Sequence, residues 1–198
     1  MKQAQEMSVY ETVLKRRTIR RFKNTKIPYQ ILKECVNAAR LAPSAKNLQP
    51  WEFIIVDRKD LLYKVFDALA WGGYIKTEEI LSKGEEAKAY IVILINEDIG
   101  SKRSDYDAGI AAGYITLVAL EHDVGSCCFT NINHMELRRI LNIPETHRIA
   151  MVIALGYPNE SPVAEESTGS TDRWRDGQGT LHVPKRRLAD ILHRNSYG

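Results

Sequence analysis

The sequence has only three cysteines, and their spacing fits neither a metal site nor a disulfide framework. Cys35 stands alone, whereas Cys127 and Cys128 are adjacent, a placement in which two cysteines rarely form a bridge. No CxxC or Cys/His spacing typical of a zinc site occurs. These features predict a reducing, cytoplasmic compartment.

The sequence also lacks a long apolar run and an excess of one charge. Its longest uncharged apolar stretch, 108–120, is far shorter than the roughly 20 residues of a membrane-spanning helix. The start, MKQAQEMSVYETV, has no apolar core of a secretory signal. A net charge of +3 gives no argument for nucleic acid. We therefore predict neither a membrane nor a nucleic-acid partner.

Common catalytic signatures are missing as well. No GxGxxG follows a strand pattern, and the P-loop, HExxH and GxSxG motifs do not occur. The five histidines show no ligand or triad spacing, and no pair of carboxylates stands out as acid and base. We predict no metal and no catalytic side chain.

What is present is a chain of 198 residues with 44% hydrophobic and 27% charged residues, which predicts one globular domain over 1–198. Periodicity predicts a mixed α+β layered fold. The predicted helices are 8–15, 28–43, 61–70, 105–122, 134–141 and a C-terminal amphipathic helix through Leu188, Ile191 and Leu192. The predicted strands are 51–57, 89–96, 126–129 and 148–158. Helix 105–122 is apolar almost all round, which favours a partner subunit to cover it.

Arg16, Thr18 and Arg20 lie in the sequence RRTIRRF, just after the first predicted helix. In an extended segment alternate side chains point to one side, so these three form a candidate phosphate clamp with two guanidinium groups and a hydroxyl. A solvated basic turn is the alternative. A second basic cluster, 185–187, either serves the same phosphate or begins a helix with its charges in water.

The stretch PSAKNLQP, residues 43–50, is poor in charge and rich in hydrogen-bonding groups between two prolines. Such groups suit the edge of a flat heteroaromatic ring, although a capped helix end leading into a strand has the same composition. Gly125 and Ser126 either let the backbone approach a ligand or form a plain tight turn. Gly109 and Gly113 in the long helix indicate close packing, for which a dimer contact is one source.

Taken in order, five segments resemble the FMN-dependent nitroreductase family. They are LKRRTIRRF, ARLAPSAKNLQPWEFIIV, DAGIAAGYITLVALEHDVGSCC, IALGYP and HVPKRRLADIL. The resemblance extends from about residue 9 to residue 193. It implies an α+β, three-layer fold with a central, mostly antiparallel sheet flanked by helices, in an intertwined homodimer with its flavin sites at the interface.

The resemblance also implies FMN as cofactor and NADH or NADPH as electron donor. A nitroaromatic, quinone or similar small-molecule acceptor would be reduced by a ping-pong hydride transfer. The implied FMN-binding residues are Arg16, Arg17, Thr18, Arg20, Pro43, Ser44, Ala45, Asn47, Gln49, Gly125, Ser126, Lys185 and Arg186. Trp51 is expected to pack behind the ring.

Two alternatives stay open at this stage. The same fold can carry specialised chemistry, namely reductive dehalogenation, flavin fragmentation or dehydrogenation of a modified peptide. Relatives of that kind add a lid segment, for which 66–88 is the only substantial candidate. The other alternative is a basic binding module that uses KRRTIRRFK.

Overall fold

The computed structural model describes residues 8–71 and 84–197. Most of the candidate lid segment lies outside these residues. The chain divides into two compact units, 1–159 and 160–198. The single domain predicted over 1–198 stays a prediction. No helix within the described ranges has the length and apolar character needed to span a bilayer.

The N-terminal unit is built on a four-stranded antiparallel sheet. Its strands are β1 (Trp51–Val56), β2 (Ala89–Asn96), β3 (Gly125–Phe129) and β4 (His147–Gly156), in the order β1-β2-β4-β3. Strand β2 is central, and all of its residues except the last are buried. This explains why its sequence is a continuous apolar run instead of an alternating one.

Helices cover both faces of this sheet. They are α1 (Val9–Lys15), α2 (Tyr29–Ala39), α3 (Lys59–Asp67), α4 (Ser104–Glu121) and α5 (His134–Leu141). Alternate residues of β2 enter two separate clusters, with Tyr90 facing α3 and α5 and Ile91 facing α2 and α4. The predicted three-layer α+β fold is therefore confirmed, and the sheet supports an apolar core on each side.

Helix α4 is the longest helix described, and it is only partly covered in a single protomer. Its buried face is made of small and β-branched residues such as Ala111 and Ile115. The opposite face leaves Tyr106, Ile110 and Tyr114 exposed. These three residues follow each other at helical i, i+4 spacing, so they form one apolar stripe on the surface.

The second predicted helix ends earlier than expected. The sequence placed its end at Pro43, but α2 stops at Ala39 and the chain turns at 40–42. Pro28 is the N-cap of this helix and lies just before its first turn. Pro43 disfavours helical backbone angles at the residue before it. The chain has already left the helix at that residue, because the turn at 40–42 comes first.

The C-terminal unit differs more from the prediction. A three-stranded sheet is formed by β5 (Val163–Glu166), β6 (Trp174–Arg175) and β7 (Leu181–Lys185), where a polar loop was expected. The predicted amphipathic helix is wrong, since only a single 3-10 turn at Leu188–Asp190 forms. Helical spacing of Leu188, Ile191 and Leu192 was misleading because all three side chains are exposed in the protomer.

Gly156 ends strand β4 against the buried ring of Phe22. A Cβ at Gly156 would lie 2.6 Å from Phe22 Cδ1, inside any normal contact distance. Phe22 itself is fully buried. We expect Gly156→Ala to lower the free energy of unfolding by about 1–3 kcal/mol, because the ring must shift in a packed core. Denaturant unfolding measures this difference.

Phe22→Leu provides the background that tests the cause. If the clash with the ring is responsible, Gly156→Ala should cost less in the leucine variant than in the wild type. Equal costs in both backgrounds would contradict this explanation.

Candidate functional site

The loop at 43–49 has an unusual backbone. Lys46, Asn47 and Gln49 adopt positive φ angles of 54°, 55° and 50°. Residues other than glycine rarely adopt this conformation, which costs on the order of 1–3 kcal/mol each and persists only where surrounding contacts enforce it. Since such strain is concentrated at binding sites, the loop is a candidate site for a ligand.

Hydrogen bonds within the loop and to its neighbours hold this conformation. Ser44 Oγ accepts the backbone N–H of Gln49 at 3.0 Å and so closes the loop on itself. The N–H of Ala45 donates to Asp107 Oδ1 at 3.0 Å, which links the loop to the first turn of α4. Pro50 accepts the N–H of Asn96 at 2.8 Å and ties the far end to the sheet. Hydrogen bonds therefore tie both ends of the loop to the rest of the N-terminal unit.

Asp107 is not among the site residues predicted from the sequence, in which it is only an acidic residue near the start of helix 105–122. In the structure it is 4% exposed, and its Oδ2 has no hydrogen-bond partner within residues 8–71 and 84–197. A usable signal existed, because Asp107 lies at i−4 from Ala111 and i−1 from Ala108, on the apolar stripe that faces the core.

The basic segment 16–20 follows α1 and runs beside the edge strand β3. Thr18 forms a parallel bridge with Ser126, and the N–H of Ile19 donates to Ser126 O at 2.9 Å. Cys128 is exposed at the surface of the protomer, but desolvation by neighbouring atoms still raises the pKa of its thiol, and the positive charge of Arg16 offsets part of that rise, so Arg16 lies near this strand. The structure thus brings 16–20 together with Gly125 and Ser126.

Arg17 has a separate, local role. Its guanidinium group donates to the carbonyl oxygen of Leu14, one of the unpaired carbonyls at the end of α1. Partial burial, followed by the neighbouring charge of Arg16, lowers the pKa of Arg17. Its place among the predicted cofactor-binding residues stays a prediction.

Gly125 has a packing reason for its missing side chain. A Cβ at this position would lie 2.6 Å from Ile19 Cγ1. The glycine therefore lets segment 16–20 lie directly against β3. Of the two interpretations drawn from the sequence, close approach applies here, but the approaching group is Ile19.

The loop at 43–49 and the basic segment lie at opposite ends of the sheet. Trp51, just after the loop, pairs with Ile95, which pairs with Arg148 near the start of β4. Gly125 pairs with Gly156 at the end of β4. The intervening length of β4 corresponds to about 26 Å at roughly 3.3 Å per residue.

Helix α4 gives the same result independently. Asp107, which holds the loop, lies in its first turn, and Gly125 follows its last residue, Glu121. At 1.5 Å per residue, the axis between Asp107 and Glu121 is about 21 Å long. One protomer therefore does not bring the two predicted groups of site residues together.

Lys185 and Arg186, the remaining predicted site residues, belong to the C-terminal unit. Lys185 ends β7, and the guanidinium group of Arg186 donates to Asp190 O at 3.0 Å. Their contribution to a phosphate site stays a prediction.

A comparison with known proteins decides the family. The family model described as "Nitroreductase family" matches residues 13–157, well over half of the chain. This chain belongs to the nitroreductase family. The recognition made from five sequence segments is thereby confirmed, and the chain is an oxidoreductase.

Individual relatives agree with this assignment. An Archaeoglobus fulgidus protein named for NADH dehydrogenase or NAD(P)H nitroreductase activity is 31% identical over 152 residues, covering 73% of this chain and 82% of that protein. An iodotyrosine deiodinase of Thermotoga neapolitana is 26% identical over 166 residues, covering 77% and 89%. The solved structure of an FMN-dependent nitroreductase from Clostridium difficile has a TM-score of 0.69 and 28% identity, covering 94% of this chain and 98% of that one.

The names of these relatives agree with the expected cofactor, FMN, and with the expected electron donor, NADH or NADPH. The C. difficile relative is named as FMN-dependent, and the A. fulgidus relative is named for NAD(P)H. The residues of this nitroreductase fit such a cofactor on structural grounds. The strained loop, whose hydrogen-bonding side chains are neutral except for Lys46, suits a ring, and the separate arginine segment suits a phosphate.

Outside the N-terminal unit, His182 forms a polar cluster that the sequence did not reveal. Its Nδ1 lies 2.8 Å from Glu165 Oε2, and its Nε2 lies 3.4 Å from Asp176 Oδ2. The ring stacks on Trp174 with centroids 4.0 Å apart, and the indole N–H donates to Glu165. Among the described residues no His, Cys, Asp and Glu group is arranged to hold a metal.

The His182 cluster predicts a pH-dependent C-terminal unit. The hydrogen bond to Glu165, and then that to Asp176, raises the pKa of His182 above its ordinary value of about 6.5. Protonated His182 therefore stabilises the folded unit. This stabilisation is complete below about pH 6.5 and is lost as the pH rises through the raised pKa of His182. The pKa values of both carboxyl groups are lowered, so they remain charged throughout that range.

Hydrogen exchange of residues 160–197 measures the effect. Protection in the wild type, corrected for intrinsic exchange, should fall as the pH rises from about 6.5 through the raised pKa of His182, whereas His182→Gln should show a flat profile. A wild-type profile as flat as that of the variant would contradict the prediction.

Proposed function

We propose that this chain is an FMN-dependent oxidoreductase that uses NADH or NADPH to reduce nitroaromatic, quinone or similar electron-poor acceptors. One observation supports it above all. Two segments suited to different parts of one flavin lie about 26 Å apart in the protomer, at the two ends of β4. A second copy, turned end for end, supplies the missing half of each site.

The basic segment is the proposed phosphate site. Arg16 and Arg20 offer planar guanidinium groups for bidentate contact, and Thr18 offers a neutral hydroxyl between them. The bridge to Ser126 holds the segment extended, which keeps alternate side chains on one side. Gly125 and Ser126 place the edge of β3 beside the same ligand.

The loop is the proposed contact for the uncharged ring. Pro43, Ser44 and Ala45 bring backbone groups to the ring edge, and the side chains of Asn47 and Gln49 are exposed in the protomer. Neutral amides offer donors and acceptors without adding a charge, which suits a heteroaromatic edge. Trp51 is buried in the core, as a packing residue would be.

FMN, when bound, would supply the hydride chemistry that links the nicotinamide donor to the acceptor in a ping-pong sequence. The residues named above bind the cofactor and orient it. No carboxylate or histidine is assigned as a proton donor, because water can supply protons to a nitro or quinone acceptor. The cytoplasmic compartment and the nature of the acceptor stay predictions.

The exposed stripe on α4 is the proposed dimer contact. Tyr106, Ile110 and Tyr114 leave an apolar strip on the protomer, and Gly113 beside them has no atom within 4 Å of a hypothetical Cβ. A two-fold axis across this strip would run the two α4 helices against each other and bring the loop of one copy to the arginine segment of the other.

Flavin uptake and reduction test the proposed function. The purified protein should be yellow or should bind added FMN with quenching of its fluorescence. Under anaerobic conditions, stopped-flow mixing with NADH or NADPH should bleach the flavin band, and subsequent mixing with a nitroaromatic or quinone should restore it. A colourless protein that refuses excess FMN would contradict the proposal.

Arg16→Ala and Lys15→Ala form a matched pair within this test. Each removes one positive charge, but Lys15 is exposed on the last turn of α1. Arg16→Ala should weaken FMN binding by about 1.5–3 kcal/mol if a charged hydrogen bond is lost. Lys15→Ala should leave binding nearly unchanged, and equal losses in both variants would favour a general charge effect over a clamp.

A bulky residue at Gly113 tests the dimer contact. A Cβ at Gly113 has no atom within 4 Å in the protomer, and arginine improves helix propensity over glycine by up to about 1 kcal/mol, so the isolated Gly113→Arg chain should fold. In the proposed dimer it should separate the copies and release FMN, as shown by sedimentation with flavin absorbance. Gly113→Ala should have a smaller effect, and a yellow, dimeric Gly113→Arg protein would refute the contact.

Reductive dehalogenation is the second candidate. The iodotyrosine deiodinase of T. neapolitana covers most of the chain at 26% identity. The acceptor panel in the stopped-flow experiment should therefore include a halogenated tyrosine. Release of iodide, together with flavin reoxidation that is faster with the halogenated tyrosine than with the nitroaromatic, would favour this candidate.

A further inference from the structure

We propose that Asp107 positions the 43–49 loop by accepting a hydrogen bond from the backbone N–H of Ala45. This hydrogen bond would determine how tightly the protein binds FMN. This inference rests on the proposed function, in which the loop lines the flavin ring. Asp107 is not assigned a contact with the flavin and acts through the loop.

The hydrogen bond between Asp107 and Ala45 joins two distant parts of the sequence, and its acceptor belongs to a helix packed in the core. Asp107 Oδ1 lies 3.0 Å from Ala45 N, although the two residues are 62 positions apart in the sequence. Around Asp107, the small residues Ala108 and Ala111 fix α4 in the core. An acceptor on such a helix cannot follow the loop if the loop moves, so it defines where Ala45 lies.

The position of this amide matters because it precedes the strained residues. Ala45 is followed at once by Lys46 and Asn47, both in the left-handed region. A chain released at Ala45 can relax these residues to ordinary backbone angles. The hydrogen bond to Asp107 therefore opposes the relaxation at the point where it would begin.

The buried carboxylate is itself an unfavourable feature of the core. Asp107 is 4% exposed, and Oδ2 lacks a partner in the part of the chain that the structure describes. An incompletely paired buried carboxylate is costly, and an apolar residue would avoid that cost. A need of the 43–49 loop for a hydrogen-bond acceptor at this position would explain why the core contains Asp107.

Four variants test the proposal by two measurements, FMN affinity from fluorescence quenching and hydrogen exchange of a peptide that contains Ala45. Asp107→Ala removes the acceptor and should weaken FMN binding by about tenfold or more, the value of one charged hydrogen bond, and accelerate exchange. Asp107→Asn keeps an acceptor oxygen and should stay within about threefold of the wild type. Asp105→Asn is the matched control, since Asp105 lies in the same first turn but pairs with Arg148 at the surface.

Ala45→Pro, the fourth variant, removes the donor and leaves Asp107 intact. Ser44 has extended backbone angles (φ −136°, ψ 154°), which a following proline accepts. Because the proline Cδ replaces the amide hydrogen that points at Asp107 Oδ1, Ala45→Pro should weaken FMN binding at least as much as Asp107→Ala does. Adding Asp107→Ala, which removes that close contact, should weaken binding no further. This variant keeps the test decisive if Asp107→Ala fails to fold.

The outcomes separate this inference from the proposed function. If the wild type binds FMN and Asp107→Ala binds it equally well, the inference is overturned and the proposed function stands. If Asp107→Asn is as weak as Asp107→Ala, charge and not the hydrogen bond is responsible, which also overturns it. If the wild type binds no FMN, the proposed function fails. In that case hydrogen exchange still tests Asp107: if exchange at Ala45 is the same in Asp107→Ala as in the wild type, Asp107 does not position the loop.

Discussion

The antiparallel pairing of β4 with its two neighbours is the constraint on which the candidate site depends. Through β2, the ladders place the 43–49 loop at the end of the sheet where Arg148 lies, and the ladder with β3 places the arginine segment at the end where Gly156 lies. Register in a sheet buried on both faces is firmly fixed, because a slip of one residue would exchange the side chains of the two cores. The distance between the two groups is therefore a property of the fold, which loop motion does not remove.

Helix α4 connects the same two ends on the outside of the sheet. It fixes the loop through Asp107 at its start and delivers the chain to Gly125 at its end. Small residues on its inner face let it lie close to the sheet and to α2, which keeps the carboxylate buried. Rigidity at both ends is what a preformed cofactor site requires, since little ordering remains to be done when the ligand arrives.

Much of this fold could be predicted from the sequence, and the failures have physical causes. The continuous apolar run of β2 and the bounds of α5 are strong local patterns, and the structure has both where they were expected. The C-terminal strands are short, polar and interrupted by Pro184, so no local pattern identifies them. The role of Asp107 rests on a tertiary contact with a residue 62 positions away, which no local pattern reveals. The separation of the two site segments depends on strand register, which follows from packing between distant strands and which no local sequence pattern reveals.

The contact between segment 16–20 and β3 has one more consequence. Strand β3 lies at the edge of the sheet, and an uncovered edge offers free backbone groups to strands of other molecules. Thr18 and Ile19 occupy part of that edge. The segment proposed to recognise a phosphate thus also protects the protein against aggregation, and damage to it would endanger solubility together with ligand binding.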